Sequence, residues 1–160
     1  MMPTPERAPS RPPARLRVMT VADVPEVAAI EARSSPAPWG SDIFRSCLRP
    51  DYLCLVLERR GAVAGFAIAS HGAGEGHLLN LAVHPDERAR GFGSQLLDAM
   101  LARLARYLVE VVFLEVRCSN TVAISLYRRA GFVPVNVRTA YYATRAGRED
   151  ALTMKRELGR

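Results

Sequence analysis

The sequence predicts a single mixed α/β domain in which a central sheet of about seven strands is flanked by about four helices. Segments with strand-like alternation and segments with helical periodicity follow one another in the order β-α-α-β-β-β-α-β-α-β-β. The 160 residues suffice to bury one core, and 49% of them are hydrophobic against 24% charged, as in globular domains. No internal repeat divides the chain, so we expect one domain.

The first third of the chain predicts one strand and two helices. Residues 15–20 alternate in polarity, as in a half-buried strand. Residues 23–33 carry apolar side chains at helical spacing, and Asp23 stands where a helix cap is expected. A loop interrupted by prolines follows, and Ser41 is the expected cap of a short helix that ends at Leu48.

The next segments predict three consecutive strands. Residues 52–59 and 62–70 are rich in apolar side chains, and the Arg60-Gly61 pair between them is typical of a hairpin turn. A glycine-rich turn then leads to a third strand at residues 77–85.

The second half predicts two helices and three strands. The helix at 91–108 has an apolar stripe that we expect to be buried, formed by Leu96, Leu97, Met100, Leu101, Leu104 and Leu108. Asn120 is the expected cap of a further helix, and Gly131 ends that helix, because glycine accepts a left-handed conformation. The remaining strands are expected at residues 111–117, 132–138 and 150–158.

The distribution of charge argues against nucleic-acid binding as the main function. The net charge is +6, but +3 of it lies within residues 1–17, and no aromatic residues alternate with the basic ones there. Residues 1–14 are rich in proline and arginine and are expected to form a flexible basic tail. The domain proper is therefore expected at residues 15–160.

Cysteine, histidine and apolar patterns exclude several other classes. The three cysteines and three histidines lack paired metal-ligand spacing, so reduced cysteines and no bound metal are expected. No apolar run reaches the roughly 18 residues of a membrane span, and the N-terminus lacks the apolar segment of a secretory signal. A cytoplasmic location without a membrane partner is expected.

The loop RARGFGSQLL (88–97) is typical of an anion-binding helix start. The amides in the first turn of a helix lack intrahelical partners, and the helix dipole adds about half a positive charge there. Gly91 and Gly93 let an anion approach these amides, and Arg88 and Arg90 add charge. With neither the P-loop lysine nor the third small residue of a dinucleotide fingerprint, the loop predicts a seat for an intact diphosphate. The alternative is a glycine-containing turn that begins an ordinary helix.

The motif RARGFG resembles the Q/R-x-x-G-x-G/A motif of the GNAT superfamily of N-acetyltransferases, which implies the GNAT fold and acetyl-CoA as co-substrate. The block LEVRCSNTVAISLYRRAGF (114–132) and the ending YYATRAGREDALTM (141–154) further resemble the RimI-type ribosomal-protein-alanine N-acetyltransferases. The resemblance implies contacts to acetyl-CoA from Leu81, Ala82, Val83, Ala89, Arg90, Gly91, Phe92, Gly93, Ser94 and Asn120.

The same resemblance assigns Glu115 as the general base and Tyr127 as the general acid. Acetyl transfer needs a neutral amine and profits from an acid at the departing thiolate, so both roles are chemically reasonable. Glu115 is otherwise read as a solvated strand residue paired with Arg117, a cation that would weaken it as a base. Tyr127 is otherwise a core residue, and the position of Asn120 is already explained by helix capping.

The acceptor implied by the resemblance is the N-terminal alanine of a small-subunit ribosomal protein, modified by direct attack in a ternary complex. Trp39, Tyr141 and Tyr142 are expected to bind the acceptor peptide, with aromatic packing as the alternative. Acidic groups that would suit a basic peptide are Asp42, Glu149 and Asp150. Two further functions remain open: acetylation of another amine (other protein N-termini, lysine, a polyamine or an antibiotic), or a non-catalytic acyl-CoA sensor.

Overall fold

The computed structural model describes Met2 and residues 14–144 and 147–159. Apart from Met2 and Ala14, the tail predicted at residues 1–14 lies outside the described residues. The strands are β1 (Arg15–Val18), β2 (Tyr52–Arg59), β3 (Ala62–Gly72), β4 (Glu75–Val83), β5 (Val111–Arg117), β6 (Val133–Thr144) and β7 (Gly147–Glu157). The helices are α1 (Val24–Ser34), α2 (Ser41–Ser46), α3 (Phe92–Arg106) and α4 (Thr121–Arg129).

The seven strands form one sheet in the order β1-β2-β3-β4-β5-β7-β6. All neighbouring strands run antiparallel except β4 and β5, which are parallel. The α3 helix makes the connection between these two strands, as parallel pairs require a long crossover. The predicted mixed α/β class, with its seven strands and four helices, is confirmed.

The strands β4 and β5 pair over only four residues and then separate. Their ladder extends from Glu75 opposite Val111 to Leu78 opposite Leu114. At the point of separation β4 contains a bulge, because Leu78 and Asn80 pair with consecutive residues of β3 and Leu79 has no opposite residue there. Bulges bend a strand and turn it away from its neighbour. The sheet consequently opens into a cleft between the ends of β4 and β5.

The sheet is covered on both faces, with one core on each side. The larger core includes the buried side of α3, together with Tyr127 of α4 and Phe132. The smaller core lies under α1 and α2 and contains Phe44 and Phe66, whose rings meet edge to face with centroids 5.3 Å apart. These two layers hold the diverging strands in place and fix the shape of the cleft.

Two local predictions fail for identifiable reasons, and a third is confirmed in position only. Leu108 is 81% exposed because α3 ends at Arg106 and Leu108 adopts a positive φ of 60°, which turns its side chain out of the stripe. Ser41 is the first residue of α2 and Gly40 is its N-cap. Asp23 occupies the N-cap position of α1 but makes no side-chain cap bond, because its carboxylate binds Arg17.

Other boundary predictions are confirmed. The Oδ1 atom of Asn120 accepts a hydrogen bond from the amide of Ala123 at 3.1 Å, which is the expected helix cap. The other five residues of the predicted α3 stripe are buried. Strands β2 and β5 begin and end where predicted, whereas β6 and β7 are longer than their apolar segments.

Candidate active site

The cleft between β4 and β5 has two connected chambers. The outer chamber, about 560 Å³, lies between the end of β4, the start of α3 and the exposed side of α4. The inner chamber, about 260 Å³, lies between the bulge of β4, the end of β5 and the loop that follows α1. The residues that line both chambers are Ser34, Leu81, Ala82, Asn120 and Ala123. The two chambers therefore form one continuous cleft.

The outer chamber brings together most of the residues that the sequence predicted to bind the co-substrate. Its lining includes Leu81, Ala82, Val83, Ala89, Gly91, Phe92, Gly93, Ser94 and Asn120. The remaining predicted residue, Arg90, lies outside this lining and places its Nε atom 3.3 Å from a carboxylate oxygen of Glu87. The predicted cluster is thus assembled in space, apart from one arginine that is engaged in an ion pair.

The start of α3 presents free backbone amides to the outer chamber. Gly91 is the N-cap with a φ of 82°, a left-handed conformation that favours glycine, and it offers no capping side chain. The first backbone hydrogen bond of the helix runs from the amide of Gln95 to the carbonyl oxygen of Gly91, at 3.1 Å. The amides of residues 92–94 therefore have no hydrogen-bond acceptor within the helix. They lie at the outer chamber, where they could stabilise an anion.

Two arginines add positive charge to the outer chamber. Arg88 lies on the loop before α3, with its Nη2 atom 3.4 Å from the hydroxyl of Ser34, and Arg129 lies on α4. Sequence reasoning did not find Arg129, because the rotation of α4 relative to the cleft decides which of two consecutive arginines faces the chamber. The chamber combines backbone donors with cationic side chains, as a diphosphate requires.

The end of β4 has one edge that is free of β5. Residues Leu81, Ala82 and Val83 pair with β3 on one side, opposite Ala67, Phe66 and Gly65. On the other side the ladder with β5 has already ended at Leu78. An extended ligand can therefore form strand-like hydrogen bonds with this edge, as in other cases of strand addition.

Tyr127 brings a protonated phenol to the inner chamber. The residue lines this chamber and is 8% exposed, and its ring packs edge to face with Phe132 at 5.9 Å between centroids. Burial, and secondarily Tyr142, raise the pKa of Tyr127 to about 12. The hydroxyl therefore keeps its proton at neutral pH and can give it to a stronger base.

Glu115 lies in the same chamber and forms an ion pair with an arginine. Its Oε1 atom is 3.0 Å from the Nε atom of Arg138 on β6. Tyr141 also donates a hydrogen bond to Glu115, and this bond raises the pKa of Tyr141. The sequence had indicated Arg117 as the neighbouring cation, but the structure pairs Arg117 with Glu149 at 3.0 Å.

The three predicted aromatic residues surround the inner chamber in different ways. Trp39 and Tyr142 line it, and Trp39 packs against Phe44 with ring centroids 5.4 Å apart. Tyr141 is 45% exposed and reaches the site through Glu115, with its ring 5.0 Å from that of Tyr142. Trp39 and Tyr142 thus pack against other aromatic rings and also face the chamber, and their binding of the acceptor peptide stays a prediction.

The acidic residues predicted for the acceptor side have structural partners. Asp42 forms an exposed ion pair with Arg45, and Asp150 accepts a hydrogen bond from the amide of Ala140 at 2.9 Å. Glu149 is held by Arg117. The lining of the inner chamber includes none of these three described residues.

Sequence reasoning missed a carboxylate that does line the inner chamber. Glu31 is only 3% exposed and follows Val24 by seven and Val27 by four residues, so it lies on the buried face of α1. This spacing is the feature of the sequence that could have predicted the burial of Glu31. Burial raises the pKa of Glu31, and hydrogen bonds from Asn80 and from the amide of Trp39 partly oppose this effect.

The described residues contain neither a cluster of metal ligands nor a helix suited to span a membrane. Within residues 14–144 and 147–159, no three His, Cys, Asp or Glu side chains are grouped so that they would hold a metal ion. None of the described helices combines the length and the apolar character needed to cross a membrane.

Comparisons with known proteins identify relatives of the chain. The family model described as the acetyltransferase (GNAT) family matches residues 23–132. The ribosomal protein bS18-alanine N-acetyltransferase of Escherichia coli (strain K12) is 39% identical over 132 residues, which are 82% of this chain and 89% of that protein. The enzyme of the same name from Salmonella typhimurium (strain LT2) is 37% identical over 139 residues, which are 87% of this chain and 94% of that protein.

The fold comparison points to the same group. The crystal structure of the ribosomal-protein-S18-alanine N-acetyltransferase from Escherichia coli superposes with a TM-score of 0.87 and 35% sequence identity. The superposition covers 92% of this chain and 95% of that chain. The similarity in fold therefore extends over nearly the whole of both chains.

Proposed function

The chain belongs to the GNAT family of N-acetyltransferases, and on this premise we propose that it acetylates the N-terminal alanine of a small-subunit ribosomal protein. Acetyl-CoA is the proposed acetyl donor. The observation that carries the choice of acceptor is the identity to two bacterial enzymes named for ribosomal protein bS18, which extends over most of both chains. The match to each relative includes the region of the cleft, so we infer that this chain and those enzymes act on the same class of acceptor.

The residues of the outer chamber fit the co-substrate. The amides at the start of α3, together with Arg88 and Arg129, are suited to the diphosphate. A β-carbon at Gly93 would lie 3.3 Å from a methyl group of Leu126, which also lines the chamber, so a larger residue would narrow it. The free edge of β4 at residues 81–83 is suited to the pantetheine arm and directs the thioester to the inner chamber.

In the proposed reaction, Glu115 accepts a proton from the acceptor amine, directly or through a water molecule. The neutral amine then attacks the thioester carbonyl, and backbone amides near the bulge of β4 stabilise the developing oxyanion. Tyr127 donates its hydroxyl proton to the sulfur as the carbon–sulfur bond breaks. Because its pKa of about 12 lies above that of a free thiol, about 8.5, complete transfer depends on the proton that the tyrosinate then recovers from the amine nitrogen. The second proton of the amine nitrogen passes through water to the tyrosinate, and Glu115 releases its proton to solvent. The products are the amide, coenzyme A and one proton, and both side chains return to their starting state.

The ionisation of the acceptor favours a protein N-terminus over a lysine side chain. An α-amino group has a pKa near 8, so about a tenth of it is neutral at pH 7, whereas a lysine with a pKa near 10.4 is neutral about once in a few thousand molecules. The Glu115 carboxylate is contacted by Arg138 and Tyr141. An N-terminal amine demands less of any base than a lysine side chain does, because a larger share of it is already neutral.

The experiment that tests the function uses two peptides of one sequence that begins with alanine and contains one internal lysine. One peptide has a free N-terminus and the other is blocked. After incubation with the protein and acetyl-CoA, mass spectrometry is expected to find one acetyl group, on the α-amine of the free peptide alone. Labelling of lysine in both peptides would move the acceptor to another amine. Measurable acetyl-CoA binding without any product would instead indicate a sensor.

The same assay examines the proposed base. Glu115→Gln is expected to lower kcat by about 100-fold, since a general base typically contributes 10²–10⁴-fold. Glu157→Gln is the matched control, because Glu157 lies on β7 opposite Val111, at the other end of the β5 ladder, and is bound to Lys155. Equal rates for the wild type and Glu115→Gln would remove Glu115 from the mechanism.

A further inference from the structure

The inner chamber contains two glutamates whose charges are balanced differently. Glu115 has a cationic partner in Arg138 at 3.0 Å. Glu31 is buried, and its Oε2 atom accepts hydrogen bonds from the side-chain amide of Asn80 at 2.5 Å and from the backbone amide of Trp39 at 3.3 Å. Among the described residues, these hydrogen-bond donors to Glu31 are both neutral.

A buried carboxylate whose hydrogen-bond donors are all neutral lacks an opposite charge to compensate its own. Buried charges in proteins are generally paired with an opposite charge, because removal from water is costly and hydrogen bonds from neutral groups compensate it only in part. Glu31 is also placed on the wall of a chamber that opens to the cleft. A cation that enters the chamber would supply the missing partner.

The acceptor amine is such a cation. Near pH 7 about nine tenths of a protein N-terminus is an ammonium group. The other ionised groups of the inner chamber are already engaged, Glu115 with Arg138 and Arg117 with Glu149. Of the two glutamates that line the chamber, Glu31 is therefore the one whose described hydrogen-bond donors are neutral, and an incoming ammonium would favour its ionised form.

We propose that Glu31 binds the ammonium group of the acceptor N-terminus in the inner chamber before Glu115 removes a proton from it. This inference rests on the proposed function and makes Glu31 a specificity-determining residue for a free amine. Asn80 and the amide of Trp39 hold the Glu31 carboxylate in place from the bulged strand and from the loop after α1. The acetylated product is neutral and lacks this attraction, which favours its release.

The test measures binding to the protein saturated with coenzyme A, where no transfer takes place. Two peptides are compared by calorimetry, one with N-terminal alanine and one in which a hydroxyl group replaces the α-amine. The wild type is expected to bind the amine at least about tenfold more tightly, because hydrogen bonds to charged groups contribute roughly 1.5–3 kcal/mol. A ratio near one in the wild type overturns the proposal without any variant.

Two variants separate the charge of Glu31 from its structural role. Glu31→Gln keeps an oxygen that can accept from Asn80 and Trp39 but removes the charge, so the preference for the amine is expected to fall to near one. Asn80→Ala removes a structural hydrogen bond but keeps the charge, so the preference is expected to persist. An unchanged preference in Glu31→Gln, or an equal loss in both variants, overturns the proposal.

Activity distinguishes the failure of this inference from the failure of the proposed function. With the free-amine peptide, Glu31→Gln is expected to raise the KM for peptide by about tenfold and to leave the KM for acetyl-CoA unchanged. A wild type that acetylates no N-terminal peptide contradicts the proposed function. A wild type that acetylates the peptide, with a Glu31→Gln variant of unchanged KM, contradicts the role of Glu31 alone.

Discussion

The proposed acid step depends on the hydroxyl of a single residue, Tyr127. The ring is held by the larger core and by Phe132, so its position is set by packing. Tyr127→Phe keeps this packing and removes the proton donor. We expect kcat to fall by about 100-fold, because general acids typically contribute 10²–10⁴-fold, while the Kd for acetyl-CoA remains the same. Steady-state kinetics and calorimetry measure the two quantities.

A matched substitution shows whether the loss is specific to Tyr127. Tyr107→Phe also removes a phenol hydroxyl, but Tyr107 is 54% exposed beyond the end of α3 and stacks on His71. This variant is expected to behave as the wild type. A Tyr127→Phe variant with full kcat would assign Tyr127 to the core alone and require another proton donor.

The sequence predicted the composition of the site better than its electrostatics. The glycine loop and the end of β4 are contiguous segments, and they meet in the outer chamber as expected. Ion pairs depend on how strands are ordered in the sheet, and the cation at Glu115 comes from β6, which lies beyond β7, and not from its own strand. Glu31 was missed because its significance arises from burial opposite β4, and a helical position alone does not reveal what covers it.

At the scale of elements, the ion pair between Arg17 and Asp23 joins β1 to the start of α1. Both carboxylate oxygens of Asp23 accept from Arg17, at 2.7 and 2.8 Å, and the carboxylate side chain is 8% exposed. The hydrogen bonds from Arg17 lower the pKa of Asp23 from 3.8 to about 2, against the opposing effect of burial. The pair therefore stabilises the folded state most when Asp23 is ionised.

Asp23→Asn is expected to reduce the free energy of unfolding by about 2 kcal/mol at pH 7, the magnitude that corresponds to the lowered pKa. Because the pKa is lower in the folded state, this contribution is complete above about pH 5 and is lost as the pH falls towards 2. Urea unfolding at pH 7 and pH 3 would measure it. Asp42→Asn, in an exposed ion pair, is the control and should change little. A difference between Asp23→Asn and the wild type that does not shrink at low pH would contradict this account.

The elements that the sequence predicted well are those with local signals. Strand β5 is a β-branched run, and the cap of α4 is a single asparagine, so neither depends on distant contacts. Strands β6 and β7 extend well beyond their apolar segments because they pair with each other as far as Thr144 opposite Gly147. Such pairing stabilises polar residues as strand, and composition alone does not predict it.

At the scale of the whole molecule, the cleft lies where two neighbouring strands of the sheet, β4 and β5, separate. Strands β1 to β4 and strands β5 to β7 are joined by only four residue pairs between β4 and β5, while α3 packs on β2, β3 and β4. Strands β3 and β4 approach closely at Gly65, where a β-carbon would lie 2.9 Å from the carbonyl oxygen of Ala82. The end of β4 is thus packed against β3 along one edge, and its other edge remains available to a ligand.

If acetyl-CoA completes this edge, its binding will protect specific amides from hydrogen exchange. We expect exchange to slow by about tenfold at about 90% saturation in segments that contain residues 79–83 and 92–94, because bound ligand reduces local opening. Residues 54–57 of β2 are buried in the two cores and serve as the control, with little change expected. Mass spectrometry of digested fragments would compare the protein with and without acetyl-CoA. Protection confined to residues outside the outer chamber would contradict the proposed seat. Protection of 92–94 without 79–83 would retain the diphosphate seat and reject strand addition, so the experiment separates the two halves of the proposed binding mode.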